Sequence, residues 1–446
     1  MAFHSSFNFL LFFCLLFPII IYPSIAKATT TSSSSSFRPK TLFLPVTKVV
    51  HSTNIKQYVI DTKQRTPLVP IKQTLDLGGQ YPWLVCDRSY VSSTYKPAHC
   101  GSAACRLTKS HVCRDCKGTI NTPGCNKNTC IVNTFNRIGH VSVSGELAQD
   151  IVSILAVNNS IVTTGKPVSV PKFLFVCGKT SQLKGLASGV KGIVGLGRSN
   201  LGLPSQFYSA FSLKKKFAVC LSSSTTSEGV VFFGDGPYYT LAHRDFSQAL
   251  AYTPLIVHPT NSKSSEYYIG VESIKIGDKA VHLNTSLLSI AKDGSGGTRI
   301  STVEPYTVLH SAIYKAVVGE FESALRAFIG DDRFKRVAAV KPFGACYNSS
   351  YIGIDRLGPV VPRIQLVLHG QSEPWMIYGA NAMVDVGENV LCLGFVDGGE
   401  IPLQPSIIIG GHQLEDNFLL FDLASNRLGF SSSLFTRQNT CADFIF

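Results

Sequence analysis

Asp76-Leu77-Gly78-Gly79 and Ile300-Ser301-Thr302-Val303-Glu304 decide how this 446-residue chain folds. Each follows a short apolar run, and each reads as a tight turn delivered to a shared cleft by one half of the molecule. The first turn carries an aspartate and the second does not. A little over a hundred residues after each turn comes a matching apolar strand that ends in glycine. These are Gly192-Ile-Val-Gly-Leu-Gly-Arg and Ser406-Ile-Ile-Ile-Gly-Gly-His. Repetition of turn and strand predicts two related lobes, and the length is ample for two cores.

Outward from the turns the chain is punctuated by short β-branched and aromatic runs separated by Gly, Pro and Asn. Examples are Thr41-Leu-Phe-Leu-Pro-Val, Gln57-Tyr-Val-Ile-Asp, Ile151-Val-Ser-Ile-Leu, Lys172-Phe-Leu-Phe-Val, Gly229-Val-Val-Phe-Phe, Tyr267-Tyr-Ile-Gly-Val and Ile364-Gln-Leu-Val-Leu. Helical spacing is confined to Leu203–Phe211 and residues 311–328. The fold class is therefore all-β and bilobal, with few short helices. The join is expected near Phe246–Tyr252, dividing residues 37–248 from 249–446.

The N-terminus reads as an export signal. Phe9 to Ile21 is continuously apolar, Pro23 follows, and Ala26-Lys27-Ala28 suits cleavage before Thr29. The run falls short of the ~20 residues a membrane span needs. Residues 29–36 form a Thr/Ser lead-in. Removal of residues 1–28 leaves 40 basic against 28 acidic residues, a net charge of +12. Outside the cell such a chain meets acidic polysaccharide or an acidic protein before nucleic acid, and no membrane partner is expected of the mature form.

Thirteen cysteines become twelve once Cys14 leaves with the signal: Cys86, Cys100, Cys105, Cys113, Cys116, Cys125, Cys130, Cys177, Cys220, Cys346, Cys392 and Cys441. An even number in an exported chain predicts six disulfides. Cys113-x-x-Cys116 has zinc-like local spacing, but its neighbours supply no second close pair, so no metal and no cofactor is expected. Asn158, Asn284 and Asn348 each open an Asn-x-Ser/Thr glycosylation sequon.

Asp76-Leu-Gly-Gly followed by Pro82-Trp83-Leu-Val-Cys86 resembles the first active-site turn of plant pepsin-like aspartic proteases. Leu203-Pro-Ser-Gln, Ile408-Ile-Gly-Gly-His-Gln, Phe421-Asp-Leu and Leu428-Gly-Phe extend the likeness over nearly all of residues 37–446. Gln64-Arg-Thr-Pro-Leu-Val, Tyr90-Val-Ser-Ser-Thr-Tyr and Gly411-His-Gln-Leu-Glu-Asp-Asn resemble one branch. It comprises the plant extracellular dermal glycoproteins that inhibit xyloglucan-specific endoglucanases, with xylanase inhibitors, basic 7S globulins and γ-conglutins as cousins. The resemblance implies a bilobal pepsin-like fold. It also implies the pairings Cys86–Cys177, Cys220–Cys441 and Cys346–Cys392. Connectivity within Cys100–Cys130 stays open.

Peptide hydrolysis by carboxylates needs two of them sharing a proton. Here Ser301-Thr302-Val303 stands where Asp-Ser/Thr-Gly is required, so both the carboxylate and the turn glycine are missing. Leu77 replaces the hydroxyl residue expected after Asp76, which removes a hydrogen bond between the lobes. A lone Asp76 is expected to ionise normally. Glu304 lies three residues too far along to substitute. The flap region, Cys130 to Gly145, holds Phe135 and no tyrosine. The expected protein is a pseudoenzyme with vestigial Asp76 and Ser301.

The resemblance implies inhibition of a microbial endoglucanase or xylanase through cations on two loops of the second lobe, set between the hydrolase carboxylates. The first loop offers Arg333, Lys335 and Arg336. The second offers only Gln404, since no Lys or Arg occurs from Leu393 to Ile409. The alternative is a non-inhibitory extracellular or storage globulin that binds a peptide or an acidic wall polysaccharide. An active aspartic endopeptidase is the least favoured reading.

Overall fold

The computed structural model describes residues 38–446 except 51–55, 118–120, 158–164, 242–244, 260–263, 372, 402–403 and 445–446. The signal, the Thr/Ser lead-in and Asn158 lie outside the described residues. All elements below belong to the unit Pro39–Phe446.

A floor of antiparallel strands joins the two lobes. Gly229–Gly234 pairs with Thr41–Val50 on one side and Lys216–Cys220 on the other. Lys216–Cys220 pairs with Asn417–Asp422, which continues through Arg427–Ser433 to Ala251–Ile256. Every residue of Gly229–Gly234 and Asn417–Asp422 is buried. Covered on both faces, such strands read as unbroken apolar runs rather than as alternation. At the centre Phe217 stacks on Phe421 with ring centroids 4.6 Å apart, and Tyr267 lies 4.7 Å from Phe421.

The same device is built once in each lobe. Val69–Asp76 runs parallel to Gly192–Gly195, which also pairs antiparallel with Trp83–Val85. In the second lobe Thr298–Ile300 runs parallel to Ile407–Ile409, which pairs antiparallel with Thr307–Leu309. Asp76 and Ser301 each stand at the end of the first strand of their device. Gly79 shows why glycine is needed there, because a Cβ on it would lie 2.8 Å from the Gly195 Cα.

Both expected helices form. Leu203–Phe211 begins with Pro204 in its first turn, where no backbone donor is needed. Ser311–Ile329 buries Ile313, Tyr314, Val317, Val318, Phe321 and Leu325 at helical spacing, and Gly330 stops it at φ +96°. One expected strand divides. Tyr267–Ile269 joins Thr298–Ile300, whereas Val271–Ile276 enters a four-stranded sheet with Ile364–Leu368. The break falls at Gly270, whose carbonyl accepts from the His369 N–H and whose missing Cβ leaves room for the His369 side chain.

Six disulfides are present among the described residues. Cys86–Cys177, Cys220–Cys441 and Cys346–Cys392 bind the main body. Cys100–Cys113, Cys105–Cys130 and Cys116–Cys125 knit the insertion whose connectivity the sequence left open. No described helix is long and apolar enough to cross a membrane.

Candidate functional site

The strand Val69–Asp76 delivers a buried Asp76 to the cleft. Its Oδ1 accepts from the Gly78 N–H at 3.0 Å. In the other lobe the Ser301 hydroxyl oxygen accepts from Val303 N at 3.3 Å and Glu304 N at 3.2 Å. Ser301 thus caps its turn as Asp76 caps its own. The absence of a glycine does not prevent the turn: Val303 is buried and its φ is not positive. Contact between the lobes also survives in part. Although Leu77 has no hydroxyl, Thr302 Oγ1 accepts from Leu77 N and donates to Leu75 O, both at 2.9 Å.

Asp76 is not alone. The hairpin of Thr129–Asn136 and Val141–Ala156 folds over the cleft, and Arg137 at its tip reaches down. Arg137 Nη1 lies 2.8 Å from Asp76 Oδ2, and Nη2 lies 2.8 Å from Glu266 Oε1. Arg299 Nη1 is 2.5 Å from the same Glu266 oxygen. The tip is pinned beside this chain by Asn136, which donates to the carbonyls of Gln182 and Lys184 at 2.9 Å each. Phe135, the aromatic residue the sequence offers in the flap, faces outward and is 44% exposed.

The expectation that Asp76 ionises normally is corrected. Burial raises its carboxyl above the usual carboxylate range against the pull of Arg137, and Glu266 adds to the rise. Burial alone would lower the Arg137 guanidinium, but Asp76 and Glu266 outweigh it and hold Arg137 above its ordinary value. A guanidinium bridging two carboxylates is a charge-assisted ion pair, whereas a catalytic dyad brings two carboxylates together on one shared proton. Glu304 is half-buried, and its charge also acts on Arg137.

The second-lobe cations differ in how free they are. Arg336 is held by Glu322 at 2.9 Å and donates to Gly344 O at 2.9 Å. Arg333 is 59% exposed, with Asp332 at 3.9 Å and its guanidinium above the Tyr351 ring. Lys335 is exposed. Gln404 is exposed too, and its carbonyl accepts from Gly296 N. The two loops leave opposite ends of helix Ser311–Ile329. Arg333 follows its C-terminus, while at its N-terminus Ser311 donates to Asp397 and Gly399. Nineteen helical residues span about 28 Å. Of the sequons, Asn284 is exposed and caps a short 3₁₀ turn, and Asn348 is half-buried. Among the described residues no cluster of side chains suits a metal ion.

Sequence reasoning missed Arg137, Glu266 and Arg299. A basic residue at the tip of a hairpin over an acidic turn was the available signal, but nothing local says where that tip points.

Residues 58–235 match the family described as xylanase inhibitor N-terminal, and residues 266–432 match xylanase inhibitor C-terminal. The chain is 52% identical to "Probable aspartic proteinase GIP2" of Nicotiana benthamiana, covering 94% of this chain and 95% of that one. It is 43% identical to "Gamma conglutin 1" of Prunus dulcis, covering 98% and 96%. Among solved structures, that of edgp superposes with a TM-score of 0.86 at 50% identity, over 92% of this chain and 99% of that one. Conglutin gamma, a basic 7S globulin from lupine seeds, superposes at 0.79 with 35% identity, over 92% and 99%. An aspartic proteinase from Irpex lacteus, 18% identical with a TM-score of 0.58, shares the fold over 89% of this chain and 98% of its own. The chain belongs to the xylanase-inhibitor-type family of pepsin-like aspartic protease homologues.

Proposed function

We propose that this protein is a secreted, catalytically silent member of that family, which binds and inhibits a microbial cell-wall-degrading glycoside hydrolase in plant defence. The target is a xyloglucan-specific endo-β-1,4-glucanase of glycoside hydrolase family 12. The observation that carries the reading is the Arg137 guanidinium lodged against Asp76 while a serine caps the opposite turn. Ser301 stands in the place of the second catalytic aspartate, so no proton-sharing pair is available to activate water. Function then falls to the outer surface. Arg333, exposed and loosely paired, is the inhibitory cation, because a guanidinium between two hydrolase carboxylates forms charge-assisted bonds in a desolvated groove. Arg336 serves its own fold and contributes less.

The apolar N-terminus and six disulfides support secretion to the cell wall space, with glycans on Asn158, Asn284 and Asn348. The lobes divide at 248/249.

A second reading, a basic globulin that binds a peptide or wall polysaccharide without inhibiting, is favoured by the lack of a cation at Gln404. Titrating a purified family 12 endoglucanase with the oxidised protein separates the two. The inhibitor reading expects near-stoichiometric inhibition, weakened about tenfold or more by Arg333→Ala and strengthened by Gln404→Arg. Absence of inhibition by both the natural protein and Gln404→Arg overturns it.

A further inference from the structure

We propose that the disulfide-knit insertion of the first lobe is a binding surface for a carboxylated polysaccharide of the polyuronate class. Between Cys100 and Cys130 lie Arg106, Lys109, Arg114, Lys117 and Lys127, against a single acid, Asp115. All five cations are exposed. Among the described residues none of them has an ion-pair partner, and Asp115 already accepts from Asn128 N at 2.6 Å. Unpaired cations at this density create a local positive potential that neighbouring carboxylates do not cancel.

The surface is grooved. One open recess of about 280 Å³ has Gln80, Leu107, Lys109, Arg198, Ser199 and Asn200 among its lining residues. A second, of about 610 Å³, is lined by Arg106, Lys109, Ser110 and His111. Lys109 belongs to both, so the two recesses adjoin at that residue, and no carboxylate lines either. Arg114 follows Cys113 at the edge of the second recess. The groove beyond it contains Asp87 and Glu146, whose carboxylates already accept bonds from Thr180 and from Asn126.

This arrangement suits one occupant. A phosphate site converges several donors on a single group. Here Arg106, Lys109 and Arg198 are distributed over two adjoining recesses beside amide and hydroxyl groups, which suits a linear chain bearing one carboxylate and several hydroxyls per sugar. Cys100–Cys113 and Cys105–Cys130 fix the backbone that carries Arg106, Lys109 and Arg114, so binding orders little that was free. The inference uses no residue of the endoglucanase-binding loops and does not rest on that reading.

The test is retention of the full secreted protein on immobilised polygalacturonate, compared with fully methyl-esterified pectin and with a single-stranded oligonucleotide. Binding to polygalacturonate that falls with salt, with little retention on the esterified polymer, is expected. Arg106→Ser/Lys109→Ser/Arg114→Ser is expected to weaken it about tenfold or more. Lys292→Ser/Lys341→Ser/Arg356→Ser removes equal charge from exposed positions of the second lobe and is expected to change it less than about twofold. Lys109→Asn, which keeps a left-handed backbone comfortable at φ +57°, is expected to weaken it about threefold and guards against misfolding of the triple variant. Equal losses in the two triple variants, equal retention of the esterified polymer, or oligonucleotide binding as tight as polygalacturonate would each overturn the proposal.

Discussion

Arg137 lies between Asp76 and Glu266 at 2.8 Å from each, and the consequences at this scale are electrostatic. Asp76 is buried and Arg137 is a quarter exposed, so losing the guanidinium strands a carboxylate only partly reached by water. Arg137→Ala is expected to destabilise the protein by roughly 2 kcal/mol. This is below the usual range for breaking a buried pair because solvent screens the exposed part. Asp76→Asn in the same chain should restore part of the loss, since it removes the stranded charge. Urea unfolding of the single and double variants measures both effects. A single variant as stable as the parent would show that the ion pair holds nothing. None of this was legible in the sequence. Asp76 announces itself by its glycines, but its partner is 61 positions away on a hairpin whose aim is set by Asn136 bonding to a third segment.

Between elements, a second buried ionic group ties the first-lobe strands Thr41–Val50 and Lys56–Gln64 to the short helix Gly411–Leu414. Glu415 Oε1 lies 2.8 Å from Lys48 Nζ and accepts from the Tyr58 hydroxyl at 2.8 Å. His412 Nε2 is 2.9 Å from Met383 O, so Nε2 carries the proton and Nδ1 accepts from Lys56 Nζ at 3.1 Å. Burial holds His412 below its ordinary pKa and therefore uncharged at neutral pH. For Glu415, burial pushes upward, but the His412 ring, with Nδ1 3.4 Å from Oε2 and cationic once it takes up its second proton in acid, acts with Lys56 and Lys48 to bring the carboxyl from 4.5 down to about 2. The unfolded chain thus takes up the Glu415 proton first. The stability this group contributes is complete above pH 4.5 and is lost as pH falls toward about 2. The loss amounts to about 3 kcal/mol. His412 acts in the same direction, beginning below its ordinary 6.5, because only the unfolded form binds that proton readily. Glu415→Gln should be less stable at neutral pH, where Lys48 loses its partner, and should lack most of the acid slope. Thermal melts across that window check this, and an unchanged slope would count against it. The strands and both helices were legible as apolar periods, yet this cluster was not. Lysines in strands read as solvated faces until the second lobe closes over them.

Over the whole molecule, two copies of one strand-and-turn device face each other across a continuous apolar floor, and this much the sequence repeats plainly. Its short apolar runs and glycine-ended strands are local features, so the bilobal fold could be read from them. Cysteine pairing within Cys100–Cys130 could not, because spacing alone leaves several connectivities possible. Nor could the Arg137 bridge to Asp76 and Glu266, which depends on contacts between segments far apart in the chain. The proposal that this cleft cleaves no peptide bond rests on one carboxylate paired to the flap and a serine capping the opposite turn. Incubating the oxidised protein with a denatured protein substrate at acid pH, beside its Asp76→Asn variant, tests that directly. No cleavage above background is expected from either protein. Cleavage by the natural protein that disappears in Asp76→Asn would contradict it.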